Sequence, residues 1–202
     1  PQIPEDQPMT RDARIGFVGA GTIGKPLVAS MLRAGLQPVV YDVDREVVDE
    51  LASQGAVAAA DLADVARRAD VVGVCVPADS HVRAVLDGDG LLAHLEPGSV
   101  VAIHSTVATE TIEWAAAAAA DRGVRIVEAC LTGGPRAAAA GATTFLLGGE
   151  ADDIAALEPL LDACGEVRVH AGPLGAASRL KLALNLQTYV SQAGIAEAVG
   201  LA

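Results

Sequence analysis

In the stretch L-K-L-A-L-N-L (180–186), one lysine and one asparagine interrupt an otherwise apolar run. Four residues make about one helical turn, so Lys181 and Asn185 share a helix face. Ser178, Thr188 and Gln192 extend that face into a polar stripe, while Leu182, Leu186, Val190 and Ala193 fall on another. A lysine among apolar neighbours loses hydration, and its pKa drops from the usual ~10.4 toward working pH. Such an amine can serve as a general base when neutral and as a general acid when protonated. Asn185 would orient the amine or hydrogen-bond a substrate oxygen. On pattern alone, the same stripe also describes the solvated side of an amphipathic helix.

A second constellation lies near the N-terminus, at G-A-G-T-I-G (19–24). It follows the apolar run R-I-G-F-V-G (14–19) and opens a helical stretch at 22–34, and an acidic residue, Asp42, ends the next apolar run. That context reads as a dinucleotide turn. Gly19 allows the tight turn, Gly21 lets a pyrophosphate approach the backbone, and Gly24 lets helix and strand pack closely. Thr22 and Ile23 lie where the helix N-terminus faces the phosphates. Asp42 would accept hydrogen bonds from the adenosine ribose, and with Asp44 it would repel a 2′-phosphate. NAD is therefore favoured, although Arg45 could turn toward such a phosphate and admit NADP.

A third group is Thr132-Gly133-Gly134, a hydroxyl beside backbone N–H groups without side-chain cover, suited to a carboxylate. The bland alternative is a plain glycine turn between strands. Arg136 faces either a distal acidic group or solvent. His81 and His104 read as surface or packing residues, and Cys130 as an inert buried thiol.

These residues need a scaffold. Apolar runs at 38–42, 56–59, 70–77, 99–105, 124–129, 143–148 and 166–170 alternate with helical stretches at 45–53, 61–68 and 109–121. The alternation predicts an α/β fold, a Rossmann-like doubly wound and mostly parallel sheet. From 174 onward everything is helix-compatible, a rod of roughly 40 Å at 1.5 Å per residue. The expected division is a flexible tail (1–12), a dinucleotide-binding domain (13–171) and a long helix (172–202) that leads into a second domain or a partner chain.

Composition sets the outer limits. The chain has 202 residues, 51% of them apolar, enough for a sizeable core. A net charge of −12 opposes binding to nucleic acid. No apolar run reaches the ~18 residues that cross a bilayer, and the opening residues lack the apolar core of a signal peptide. Cys75, Cys130 and Cys164 are far apart and odd in number, which suits reduced thiols in a cytoplasmic protein. Neither they nor the four histidines have metal-ligand spacing.

Taken together, four separated motifs resemble the β-hydroxyacid dehydrogenases, the family of 3-hydroxyisobutyrate dehydrogenase, tartronate semialdehyde reductase and 6-phosphogluconate dehydrogenase. They are G-F-V-G-A-G-T-I-G (16–24), the pair V-C-V-P (74–77) and H-S-T-V (104–107), E-A-C-L-T-G-G-P-R-A-A-A-A-G-A (128–142), and G-P-L-G-A-A-S-R-L-K-L-A-L-N (172–185). The resemblance implies that Val76, Pro77 and Thr106 line the nicotinamide, that Thr132, Gly133 and Gly134 hold the substrate carboxylate, and that Lys181 is the catalytic acid–base with Asn185 beside it. It implies hydride transfer between NAD(P) and the hydroxyl-bearing carbon of a small β-hydroxyacid. It also implies a homo-oligomer, a dimer or higher. Thr132 replaces the family's usual serine, Cys130 a proline, Ala137 a glycine, and Leu184 a polar residue, which leaves the substrate open. Family members continue into a helical domain that closes the site, whereas this chain stops within the connecting helix. A catalytically silent nucleotide-binding module therefore stands as an alternative, as does a reductase of another carbonyl or an imine, though retention of Lys181 argues against the imine.

Overall fold

The computed structural model describes residues 13–201, so the expected tail at 1–12 lies outside the described residues. The chain begins β1 (Ile15–Val18), α1 (Gly24–Arg33), β2 (Val39–Tyr41), α2 (Arg45–Ser53), β3 (Val57–Ala58), α3 (Leu62–Arg68) and β4 (Val71–Val74). It continues with α4 (Asp79–Leu86), β5 (Val100–Ile103), α5 (Thr109–Ala120), β6 (Arg125–Thr132), α6 (Gly134–Ala140) and β7 (Thr143–Gly148). The last elements are α7 (Ala151–Ala155), α8 (Glu158–Cys164), β8 (Gly165–Gly172) and α9 (Ala176–Leu201).

The eight strands form one sheet in the order β3-β2-β1-β4-β5-β6-β7-β8. Neighbours from β3 through β6 are parallel, β7 is antiparallel to β6, and β8 is parallel to β7. The expected mostly parallel sheet is therefore present, with one reversal. Because β1 pairs with β2 on one side and β4 on the other, a crevice opens beyond its carboxyl end, where α/β sheets bind ligands.

Strand residues alternate between the two faces, and both faces are covered, which explains the continuous apolar runs. Phe17, Val71, Val100, Ala102, Val127, Ala129 and Leu131 join one core with Leu27, Val28 and Met31 of α1 and Leu160 and Leu161 of α8. Val18, Val72, Val74, Val101, Ile103 and Ile126 join a second core with Val65 of α3, Val82 of α4 and Ile112 and Ala115 of α5. A fully buried side chain such as Phe17 contributes ~2–3 kcal/mol over its exposed state, so the central strands are held firmly from both sides. The alanine-rich part of α5 serves packing, since Ala115 and Ala119 are fully buried.

The reversal at β7 fixes the path of α9. β8 descends beside β7 and ends near the base of β6, because Gly148 is the register partner of both Glu128 and Gly172. From there α9 climbs along β6, packing on β6, β7 and β8. Ala177 and Leu180 sit on Cys130, Leu146 and Ala171. Beyond its first two turns α9 leaves the sheet, and Leu186, Tyr189, Val190 and Ile195 are exposed.

Candidate active site

The glycine turn lies directly past β1. Gly19 has φ 93°, and a Cβ there would run into the carbonyl of Cys75 at the end of β4. A Cβ at Gly24 would run into the Gly19 carbonyl, so the start of α1 and the end of β1 meet backbone to backbone. At Gly21, by contrast, a Cβ would meet no atom within 4 Å. The surface in front of it is open to a ligand. The helix begins at Gly24, two residues later than the sequence suggested, so Gly21, Thr22 and Ile23 form the turn itself. Among the described residues their N–H groups have no acceptor, while Gly19 donates to the Tyr41 carbonyl at 3.0 Å. Unpaired N–H groups ahead of a helix form an anion site. The residues present thus fit the pyrophosphate of a dinucleotide.

Asp42, past the end of β2, is oriented by two backbone donors. Its Oδ2 accepts from Ala20 N at 2.5 Å and its Oδ1 from Asp44 N at 2.9 Å. The first bond ties the carboxylate to the glycine turn. Arg45 does not turn inward: its Nη1 donates to the Ala59 carbonyl at 2.8 Å.

Val76 and Pro77 follow β4, and Thr106 follows β5, with Pro77 and Thr106 exposed at the same sheet edge. Val76 is held by a residue the sequence did not single out: its N–H donates to the buried Ser105 hydroxyl at 2.9 Å. His104 is a packing residue, as expected. It stacks on Phe17 with centroids 5.6 Å apart, and Nδ1 donates to the Ala129 carbonyl at 2.9 Å. Its Nε2 has no partner among the described residues, and burial pushes its pKa down to about 4. His81 is exposed on α4.

Thr132 ends β6 and is half-buried. Gly133 and Gly134 follow with φ 110° and 66°, both in the left-handed region, which bends the chain sharply into α6. The interval between β6 and β7 therefore contains a helix rather than the bare turn considered above. Arg136 is exposed on α6.

Lys181 is half-buried on the second turn of α9, and Asn185, also half-buried, follows one turn on. Burial lowers the Lys181 pKa from the usual lysine value, partly opposed by Cys130. Leu182 and Leu184 are 43% and 37% exposed, so these two apolar neighbours are themselves only partly covered, while Cys130 of β6 is near enough to act on the amine. Cys130 is fully buried, and desolvation raises its thiol pKa to about 11.

Sequence reasoning also missed Glu128. It is fully buried on β6, and its two carboxylate oxygens accept from Gly175 N at 2.6 Å and Ser178 N at 2.8 Å. The available signal was an acidic residue inside the apolar stretch I-V-E-A-C-L (126–131), since a charge in a doubly covered strand needs partners.

One edge of the sheet thus carries the glycine turn, Asp42, Val76, Pro77, Thr106 and Thr132, each at or past the carboxyl end of an ascending strand. On β6, Glu128, Cys130 and Thr132 share the face toward α9. Four strand residues advance roughly 13 Å and the seven helix residues from Ser178 to Asn185 roughly 10 Å. Since Ser178 starts level with Glu128, α9 delivers Lys181 and Asn185 toward the height of Thr132. The arrangement joins a turn with unpaired N–H groups, a carboxylate tied to that turn and a half-buried amine along one edge.

Comparison with known proteins agrees with this geometry. Residues 14–172 match the NAD binding domain of 6-phosphogluconate dehydrogenase. The NAD-dependent L-serine dehydrogenase of Pseudomonas aeruginosa is 40% identical over 189 residues, 93% of this chain and 63% of that protein. The 3-hydroxyisobutyrate dehydrogenase of the same organism is 36% identical over 188 residues, 93% of this chain and 63% of that protein. The crystal structure of 3-hydroxyisobutyrate dehydrogenase from Salmonella typhimurium superposes with a TM-score of 0.88 at 32% identity, over 95% of this chain and 67% of that one. The chain spans less than two thirds of the length of these two Pseudomonas relatives. Because the family match spans residues 14–172, most of its length, the chain belongs to the family of the NAD binding domain of 6-phosphogluconate dehydrogenase.

Proposed function

We propose that this chain forms the cofactor and acid–base part of a β-hydroxyacid dehydrogenase, which moves a hydride between NAD and the hydroxyl-bearing carbon of a small carboxylate. The observation that carries the reading is a half-buried Lys181, with lowered pKa, on the helix that climbs β6 toward the edge of the glycine turn.

In this reading the N–H groups of Gly21, Thr22 and Ile23, with Gly19 and Gly24 making room, hold the pyrophosphate. Asp42 takes the ribose hydroxyls, while Val76, Pro77 and Thr106 form the wall beside the nicotinamide. Asp42 near the ribose and Arg45 committed to Ala59 favour NAD over NADP. When bound, NAD supplies the hydride acceptor for the alcohol carbon. The Thr132 hydroxyl and the N–H groups of Gly133 and Gly134 hold the substrate carboxylate. Lys181 takes the hydroxyl proton during oxidation and returns it during reduction, and Asn185 steadies the amine or the substrate oxygen. L-Serine and 3-hydroxyisobutyrate, named for two of the relatives, both carry a hydroxymethyl group one carbon from the carboxylate, and they define the first substrate class to test.

A homo-oligomer and a cytoplasmic location belong to the same reading. Exposed Leu186, Tyr189, Val190 and Ile195 on α9 form a surface that further chain or a second subunit would cover, and all three cysteines are free thiols. Sedimentation velocity and cell fractionation test these two points.

The principal test is NAD binding by calorimetry, followed by turnover with a panel of β-hydroxyacids. Lys181→Ala is expected to lower kcat by about a thousandfold and to leave NAD affinity nearly intact. Oxidation needs neutral lysine, so kcat/KM rises with pH through a midpoint below the ordinary lysine pKa, the direction burial dictates. NAD binding without turnover, unaffected by Lys181→Ala, would identify a silent nucleotide-binding module instead.

A further inference from the structure

We propose that Glu128 is a positioning residue for Lys181: its carboxylate anchors the first turn of α9 to β6 and so sets where the amine stands. The inference rests on the acid–base role proposed for Lys181.

A fully buried carboxylate is costly unless donors surround it. Glu128 has two, and both belong to the start of α9: Gly175 precedes the helix and Ser178 is its third residue. Helices leave their first N–H groups unpaired, and an anion there also meets the positive end of the helix dipole. The fold reserves room for this contact, because a Cβ at Gly148 on β7 would run into Glu128 Oε2.

The contact is directional in a way the rest of the α9 interface is not. Ala177 and Leu180 dock on Cys130, Leu146 and Ala171 through apolar surface, which tolerates sliding and rotation. Two N–H bonds to one carboxylate fix both. Lys181 follows Ser178 by three residues, so a one-residue slip would swing it about 100° around the helix axis. Cys130 neighbours the anchored turn: its Sγ is 4.0 Å from Ser178 Oγ. Burial is the main cause of its raised thiol pKa, Glu128 adds to the rise, and Ser178 and Lys181 oppose it. Glu128 and Lys181 therefore act on the same small volume, and removing the anion should make the lysine easier to deprotonate. β6 supplies Glu128 and Cys130, and β7 supplies no titratable group. β8 carries Glu166, Arg168 bonded to Asp162, and His170 bonded to the Gly149 and Gly172 carbonyls, while α9 itself adds Arg179.

The sequence contains two lysines, Lys25 and Lys181, so carbon-13 lysine labelling gives two resonances, assigned with Lys25→Arg. In Glu128→Gln the amide keeps one acceptor, turns a donor toward the second N–H and removes the charge. The Lys181 midpoint is expected to fall by about half a pH unit or more, with Lys25 unmoved as the internal control. In the protein that turns over substrate, kcat should fall about tenfold and NAD affinity should change less than about twofold, because the glycine turn is remote in the fold. Should Glu128→Gln fail to bind NAD, Gly148→Ala displaces the carboxylate without removing it, and the Lys181 midpoint should shift there too. A midpoint equal to wild type in the variant that still binds NAD overturns the proposal. If the wild type oxidises no β-hydroxyacid, the functional reading fails, and the Lys181 midpoint still decides the role of Glu128.

Discussion

The cofactor side of the sheet is built from backbone atoms close together in the chain, whereas the lysine side depends on one side chain, Glu128, that reaches backbone N–H groups 47 and 50 residues away in sequence. Gly19, Gly21 and Gly24 act by lacking a side chain, and the groups that would hold phosphate are N–H groups in a single turn. Glu128 and Cys130 act through side-chain reach toward the start of the helix that carries Lys181, and they meet that helix only because β7 reverses and sends α9 up along β6. A backbone-made site is either formed or blocked, since backbone has little room to give. A side-chain-made site can be tuned, which is where substrate preference within a family has freedom to change.

Below the loss expected for Lys181→Ala, the next largest effect should come from the backbone side. Gly24→Ala forces a methyl onto the Gly19 carbonyl, and NAD affinity is expected to fall about a hundredfold, close to 3 kcal/mol. Calorimetry with NAD measures it, and a loss under fivefold would show that the turn relaxes and that the two sides are equally adaptable.

His104 joins the two sides, since it extends the β5–β6 pairing through its bond to Ala129. Its pKa of about 4 in the fold, against 6.5 for an unburied ring, means the unfolded chain binds its proton first as pH falls. Stability is thus complete above about pH 6.5 and declines as pH drops toward 4, by about 3 kcal/mol in total. Urea unfolding at several pH values reads the slope, and His104→Phe should flatten it across that window. An equal slope in the variant would assign the acid sensitivity elsewhere.

Asp42→Asn is the mildest change. It keeps the shape and removes the charge at the ribose position, so NAD should weaken by about tenfold while NADP, freed from repulsion, gains. Relative KM values for the two cofactors decide it; an unaltered ratio would mean that Asp42 serves only to hold Ala20 in the glycine turn.

Much of this was legible in the sequence because its causes are local. The runs at 70–77 and 99–105 announced strands covered on both faces, and β4 and β5 lie inside them, each in contact with both cores. The turn at 19–24 carried its strand, helix and acidic partner within a short span, and Asp42 does reach the turn. The differences were partly local and partly of longer range. The helix after the turn starts at Gly24 rather than at 22, because three residues are spent on the turn itself. The apolar neighbours of Lys181 were read as its shield, and the structure adds that Leu182 and Leu184 face solvent in part while Cys130 of β6 also acts on the amine. Glu128 was passed over because a single acidic residue in a strand does not reveal which donors it will meet.

By itself the sequence determined the alternation of elements, the anion-binding turn and the spacing of Lys181 and Asn185, since periodicity, glycine placement and helical pitch act over a few residues. Tertiary structure alone decided that β7 runs antiparallel, that α9 therefore ascends beside β6, and that a buried glutamate fixes the first turn of the helix that carries the lysine. Those outcomes depend on which distant surfaces bury each other and on how a buried charge finds its donors, and neither is written in local spacing.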